Sequence, residues 1–250
     1  MFNISVVVSY CSNENMFIDK LLSEAKKFSN DVIVVHGDKF FNGEPDLELK
    51  KDLNADHVCA IEISPDLIAK HGPRYYHNMY RRVGWEAASG DYVLFLDGDE
   101  VPDGELFGKF LSEFDYEQFN AYTFMCYWYF REPTNQATSL EASQLMVKRD
   151  CLTPAMFNGD TERFYTFNSV PGPKVKNFKP PTIAEPMFHH YSWVRSEEEM
   201  VRKATSWGHK NDRPWEKLIR EEFSKFGEPG ETDFVHGYSY RRVESFLDKE

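Results

Sequence analysis

Cysteine is scarce in this sequence. The four present, Cys11, Cys59, Cys126 and Cys151, stand too far apart to form a zinc knuckle or a redox pair. They are expected as buried free thiols in a reducing, cytosolic setting. No stretch approaches the roughly 18 apolar residues needed to cross a bilayer, so no transmembrane segment is expected. The apolar run at residues 4–8 is short and lacks the basic segment that opens a secretory leader. Positive charge is also in deficit: 29 Lys and Arg stand against 41 Asp and Glu, a net −12 that makes nucleic acid an improbable partner. Internal repeats and low-complexity tracts are missing. What is there is ordinary globular material, 41% hydrophobic and 16% aromatic, which excludes wholesale disorder. A chain of 250 residues suits one compact domain with a real core.

Residues 4–9 are β-branched and continuous, as in a strand buried on both faces. Phe17, Ile18, Leu21, Leu22, Ala25 and Phe28 then recur at helical spacing, and residues 32–35 form a second buried strand. That order favours a parallel pair with a right-handed crossover, the opening of an α/β sheet. Residues 40–45 read as a loop and 58–63 as a third strand. Tyr76, Met79, Tyr80, Val83 and Ala87 mark a helix stopping near Gly90, and 92–96 is a fourth strand. Residues 121–130 are a long aromatic strand, followed by Pro- and Gly-punctuated segments expected to form a mixed-sheet extension. Ser196 and Glu199 form a capping box for a helix whose buried stripe is Met200, Val201, Ala204 and Trp207. A further helix starts near Pro214, residues 227–230 are a turn, and the last twenty residues read as a polar tail.

The sharpest feature is the strand 92–96 running straight into Asp97-Gly98-Asp99-Glu100. On an extended chain, residues i and i+2 project to one side about 6.6 Å apart. Asp97 and Asp99 can therefore approach one cation, and Gly98 removes the side chain between them. Hard divalent ions such as Mg²⁺ and Mn²⁺ prefer carboxylate oxygen and keep positions open for phosphates. In open α/β sheets, ligands bind beyond the carboxyl ends of strands. The competing structural reading is a solvated turn in which Asp99 or Glu100 caps a helix over residues 104–114. If Asp99 is instead the principal anchor of an ion, its replacement by Ala is expected to lower turnover far more than stability, since a solvated carboxylate contributes little to packing.

The stretch from Arg81 through Gly84, Ala88 and Gly90 to Asp97-Gly98-Asp99 resembles the family 2 glycosyltransferases of GT-A fold. Their pattern runs Arg-Asn-x-Gly, Ala-x-Gly and then an Asp-x-Asp strand, and the resemblance covers roughly the first 105 residues. It implies an α/β, Rossmann-like fold with a mostly parallel central sheet, helices on both faces and a mixed-sheet C-terminal extension. The whole chain 1–250 is then a single domain, with a nucleotide-sugar-binding half at 1–105, an acceptor-side half at 106–230 and a tail at 231–250. By the same resemblance Asp99 is the main ligand of Mn²⁺ or Mg²⁺, and Asp97 faces the metal or the ribose. Ser9 at the end of the first strand and Arg81 belong to the donor side. The family's Asn is Arg82 here, and His36-Gly37-Asp38-Lys39 replaces its second-strand Asp-Asp-Gly-Ser, so Asp38 alone is carried over as a donor contact.

A second match, His189-His190-Tyr191-Ser192-Trp193-Val194-Arg195 with Lys203 beyond it, is similar to a His-Tyr-x-Trp-Val-Arg segment late in some members. His190 fits the place of the late metal-binding His better than His189, the alternative being an imidazole bonded to backbone. Arg195 and Lys203 are placed to neutralise a departing diphosphate, or else form a solvated helix face. An inverting transferase also needs a carboxylate to take the acceptor's proton, and Asp160 and Glu162 are the candidates. Trp128, in an aromatic run that is in large part core, is a candidate for stacking on an acceptor sugar. The function so implied is metal-dependent transfer of a sugar, with inversion, from a nucleotide-sugar donor to a glycan, lipid-linked or other hydroxyl acceptor. Two alternatives remain: a phosphatase of the haloacid dehalogenase type, which also uses aspartates at i and i+2, and a non-catalytic sugar-nucleotide-binding module.

Overall fold

The computed structural model describes residues 3–72, 74–158, 162–225 and 231–249. The turn expected at 227–230 therefore lies outside the described residues. In chain order the structure runs β1 (Ile4–Tyr10), α1 (Ile18–Ala25), β2 (Asp31–Gly37), β3 (His57–Ile61), α2 (Pro65–His71), α3 (Tyr75–Ala87), β4 (Tyr92–Asp97), β5 (Glu100–Pro102) and α4 (Gly104–Glu113). The second half continues with β6 (Ala121–Phe130), β7 (Asn135–Lys148), α5 (Arg163–Ser169), β8 (Lys174–Phe178), β9 (Phe188–Trp193), α6 (Glu197–Ser206), α7 (Trp215–Glu222) and β10 (Tyr240–Arg242).

One sheet runs through the molecule in the order β3-β2-β1-β4-β7-β6-β9-β5, with β8 beside β6 and β10 beside β7. β3, β2, β1 and β4 are parallel throughout. β7 pairs antiparallel with both β4 and β6, and β9 returns parallel to β6. The α/β class and the mixed, mostly parallel sheet agree with expectation. The period-2 alternation of strand side chains sorts the core into two layers. Val6, Val8, Val34, Leu94 and Leu96 face Phe17, Leu21, Leu22, Phe28, Phe107 and Phe110 of the α1 and α4 side. Val7, Ile33, Val35, Val93 and Phe95 face Tyr76 and Tyr80 of α3, together with Phe157 and Phe167. Helices thus cover both faces. α3 lies so close to β1 that a Cβ on Gly84 would stand 2.1 Å from a Val7 methyl, the reason a glycine follows Arg81 by three positions.

Three expectations need correction. The region after β6, read as weakly periodic, holds the 14-residue strand β7; its middle stretch is partly exposed and largely polar, so a continuous apolar run appears only at Leu145–Val147 near its C-terminal end. The chain's end is not a loose tail, because Tyr240 pairs with Ala137 and the buried Phe246 ring stacks on His189 at 4.0 Å. All four cysteines are free, but only Cys126 is buried; Cys11, Cys59 and Cys151 are partly exposed. Among the described residues no helix is long and apolar enough to cross a membrane.

Candidate functional site

β1 and β4 lie in register at their carboxyl ends, where Ser9 stands opposite Asp97. The chain then turns at Gly98 and leaves as β5, antiparallel to β9, with Glu100 opposite His190. The Tyr191 N–H donates to the Asp99 carbonyl at 2.9 Å and locks β9 onto this turn. Gly98 is required by close approach: a Cβ there would lie 2.8 Å from Cβ of Glu14, which follows β1. A cavity of about 350 Å³ opens at this edge, in the size range of small-molecule sites. Ser9, Arg81, Asp97, Asp99, Trp128, Glu162, His190 and Lys203 all line it.

Its charges are dense and paired. Asp97 Oδ1 accepts from Arg81 Nη2 at 3.3 Å, and Oδ2 lies 3.4 Å from Arg163 Nη2. Asp99 Oδ2 takes Lys203 Nζ and, at 3.3 Å, Arg195 Nη2. Arg195 Nη2 also reaches Glu14 Oε1 at 3.2 Å. Burial alone would raise both aspartates, but the Arg163 and Arg81 guanidiniums hold Asp97, and Lys203 with His190 and Arg195 hold Asp99, well below the usual carboxylate range. Glu14 moves the other way, raised by burial against the pull of Lys203 and Arg195.

The solvated-turn alternative is not what forms. Asp99 is 3% exposed and Glu100 0%, and Asp103 caps α4 by accepting from Leu106 N at 2.9 Å. Arg195 and Lys203 are buried on Asp99 rather than spread on a helix face. His190 lies in the cavity, whereas His189 is in the core, hydrogen-bonded to the Tyr129 hydroxyl at 2.7 Å. Trp128 is 3% exposed and stands edge-on to His190 and to His236, ring centroids 4.8 Å apart in each case. Asp38 is outside the cavity lining; its carboxylate accepts from Ile63 N at 2.7 Å and from Lys39 Nζ at 2.6 Å. Asp160 lies outside the described residues. Sequence reasoning passed over Arg163, Glu14 and Glu100's true role, and only proximity to Glu162 and to the strand ends could have marked them.

The Glu100 carboxylate, fully buried, organises the acidic turn. It takes both Arg163 nitrogens at 2.6 Å and the Asp97 N–H at 2.8 Å. Among the described residues no three His, Cys, Asp or Glu side chains are grouped to hold a metal ion. Two donors do face each other: Asp99 Oδ1 and His190 Nε2 are 3.6 Å apart. That separation falls between the values for adjacent and opposite ligands, about 3.0 and 4.2 Å, on a sphere of about 2.1 Å radius. The fit to Mg²⁺ or Mn²⁺ thus rests on Asp99 and His190. Asp97, with an oxygen toward each of two guanidiniums, does not join them.

Three solved structures are similar in fold at low identity. TarS of S. aureus (residues 1–349, in complex with UDP) is 14% identical, with a TM-score of 0.44, over 81% of this chain and 63% of that one. The same TarS fragment in complex with UDP-GlcNAc is 15% identical, with a TM-score of 0.42, over 81% and 64%. A glycosyltransferase involved in glycosylation of the major capsid of PBCV-1 is 13% identical, with a TM-score of 0.43, over 78% of this chain and 98% of that one. The chain therefore spans a little under two thirds of the TarS fragment. No curated protein matches it in sequence. Residues 77–173, from α3 through the acidic turn to the edge of β8, match the family model described as Glycosyl transferase family 2.

Proposed function

We propose that this protein transfers a sugar from a nucleotide-activated donor to a hydroxyl acceptor, with inversion and with the help of Mn²⁺ or Mg²⁺. One observation carries the reading: two aspartates at the carboxyl end of β4, a histidine from β9 and the cationic side chains of Arg81, Arg163 and Lys203 converge on one cavity. The family 2 match supports the reaction class.

Asp99 and His190 would hold the ion, whose chemistry is to neutralise the donor's diphosphate. Lys203, which lines the cavity, sits where negative charge grows on the leaving group and offers a fixed electrostatic stabilisation, while Arg195, outside the lining, acts through Asp99. Asp97, braced by Arg81 and Arg163, is directed toward the donor's ribose hydroxyls. Ser9 closes the donor end. Glu162, at the cavity rim, receives the acceptor's proton, a role that Asp160 shares as a candidate. Trp128 keeps the His190 ring edge-on and fixes the direction of its Nε2.

The test is a thermal-shift screen of UDP, GDP, CDP, dTDP and UDP-GlcNAc, each with and without Mn²⁺. A ligand at 100 times its dissociation constant should add about 2.7 kcal/mol of stability. One nucleotide should stabilise the protein in a Mn²⁺-dependent way, and Asp99→Asn should remove the Mn²⁺-dependent part. No stabilisation by any nucleotide refutes the reading, and turnover of p-nitrophenyl phosphate without it moves the assignment to a phosphatase.

A further inference from the structure

At the cavity rim a second polar cluster joins three parts of the chain. Glu162, the N-cap of α5, places Oε1 3.0 Å from Arg74 Nη1 and 3.4 Å from His209 Nε2. His209 lies in the segment between α6 and α7, and its Nδ1 is 2.8 Å from Asp212 Oδ2. Arg74 Nη2 closes the ring at 3.9 Å from Asp212 Oδ1. The imidazole is well fixed. Trp215 Nε1 donates to the His209 carbonyl at 2.8 Å, and the Trp207 ring packs edge-on at 5.5 Å. A Cβ on Gly208 would lie 2.9 Å from Cγ of Arg74, so the segment sits tightly on the start of α3. Glu162 and His209 line the cavity and Asp212 does not, which gives the order carboxylate, imidazole, carboxylate from the cavity outward.

We propose that His209, oriented by Asp212, is the second station for the proton taken from the acceptor hydroxyl: Glu162 receives it and passes it to His209 Nε2. This rests on the reading of Glu162 as the base. The steps balance. The acceptor O–H bond breaks as its oxygen bonds to the anomeric carbon, and the bond from that carbon to the diphosphate breaks with its electron pair leaving on the diphosphate. The proton moves from the hydroxyl to Glu162 and then to Nε2. An imidazolium results between two carboxylates, Glu162 is restored as an anion, and solvent removes the proton from the half-exposed ring. Asp212 on Nδ1 selects the tautomer whose Nε2 lone pair faces Glu162. The charged and titratable groups that face the ring are Arg74 and His77 from α3, Glu162 from α5 and Asp212 from its own segment. Burial by itself would raise the Glu162 carboxyl, but His209 and Arg74 bring it below the usual carboxylate range, so a proton placed there is readily given up. His209 and Asp212 act through Glu162 and are positioning residues.

The experiment combines a readout of the ring with one of turnover, on the full chain. Imidazole ¹⁵N NMR titration, assigned with His209→Gln, should show the Nδ1–H tautomer. Losing the facing charge in Glu162→Gln or Asp212→Asn should lower the ring's proton affinity about tenfold. A proton affinity within about twofold of wild type in Glu162→Gln, on the same scale, overturns the relay. Hydrolysis of UDP-GlcNAc, with water as acceptor, supplies the second readout. His209→Gln should lower kcat about tenfold, within the usual range for losing acid–base help, with KM unchanged and the acid limb of the pH profile displaced. A rise in KM with an undisplaced profile marks a merely structural residue and overturns the proposal. Full turnover in Glu162→Gln removes the base reading and the relay with it, whereas a slow Glu162→Gln whose His209 titrates as in wild type removes the relay alone.

Discussion

Replacing Glu100 by Gln tests how the acidic turn is held. The Glu100 side chain is fully buried and that of Arg163 is 11% exposed, and they meet through two contacts of 2.6 Å. Breaking a buried pair by removing one charge costs about 3–5 kcal/mol, because the remaining charge stays desolvated. Gln can still accept from the Asp97 N–H, and Arg163 can lean on Asp97 Oδ2 at 3.4 Å, so the cost should sit near the lower bound. At about 2–4 °C per kcal/mol for a chain of this size, 3 kcal/mol corresponds to a fall of roughly 6–12 °C in Tm. Arg163→Met should cost more, near about 5 kcal/mol, since it leaves the fully buried Glu100 carboxylate with only Ser143 and a backbone N–H. The double variant should cost less than the two single costs summed, by about 1–3 kcal/mol. Thermal and urea unfolding followed by circular dichroism measure all three. A Tm for Glu100→Gln within about 2 °C of wild type, or strictly additive costs, would refute the idea that this pair braces the turn.

Burial pushes the His189 imidazole down to about 3, and the ring enters the fold neutral. Its folded value lies below the unfolded value of about 6.5, so its contribution is complete above that pH and is lost as the pH falls toward 3, by about 1.4 kcal/mol per pH unit. Urea midpoints should therefore fall between pH 6.5 and 4, and less steeply in His189→Gln; equal slopes for the two proteins would count against it. Asp99→Ala should reduce stability as well as turnover, contrary to the expectation for a solvated carboxylate, because it strips Lys203 and Arg195 of a shared partner inside the protein. The loss should be about 1–3 kcal/mol, smaller in Asp99→Asn, and an unchanged urea midpoint in the Ala variant would show that the pairing is not formed in solution.

The sequence by itself determined the α/β class, the first four strands with α1 and α3, the capping box of α6 and the aspartates at the end of β4; α2 was not read from it. Those features are local: a β-branched run, a helical stripe or a strand end is written in consecutive residues. β7 escaped because its middle is polar and partly exposed, and the C-terminal segment escaped because scattered aromatics carry no period until they meet their partners. Only the tertiary structure decided that Lys203 and Arg195 would share Asp99, that Asp97 would be braced by guanidiniums from α3 and α5, and that the Asp38 carboxylate would bond to Ile63 N and Lys39. These pairings join residues up to 104 positions apart, and the energy that selects them, desolvation set against charge, has no value until the chain has buried them together.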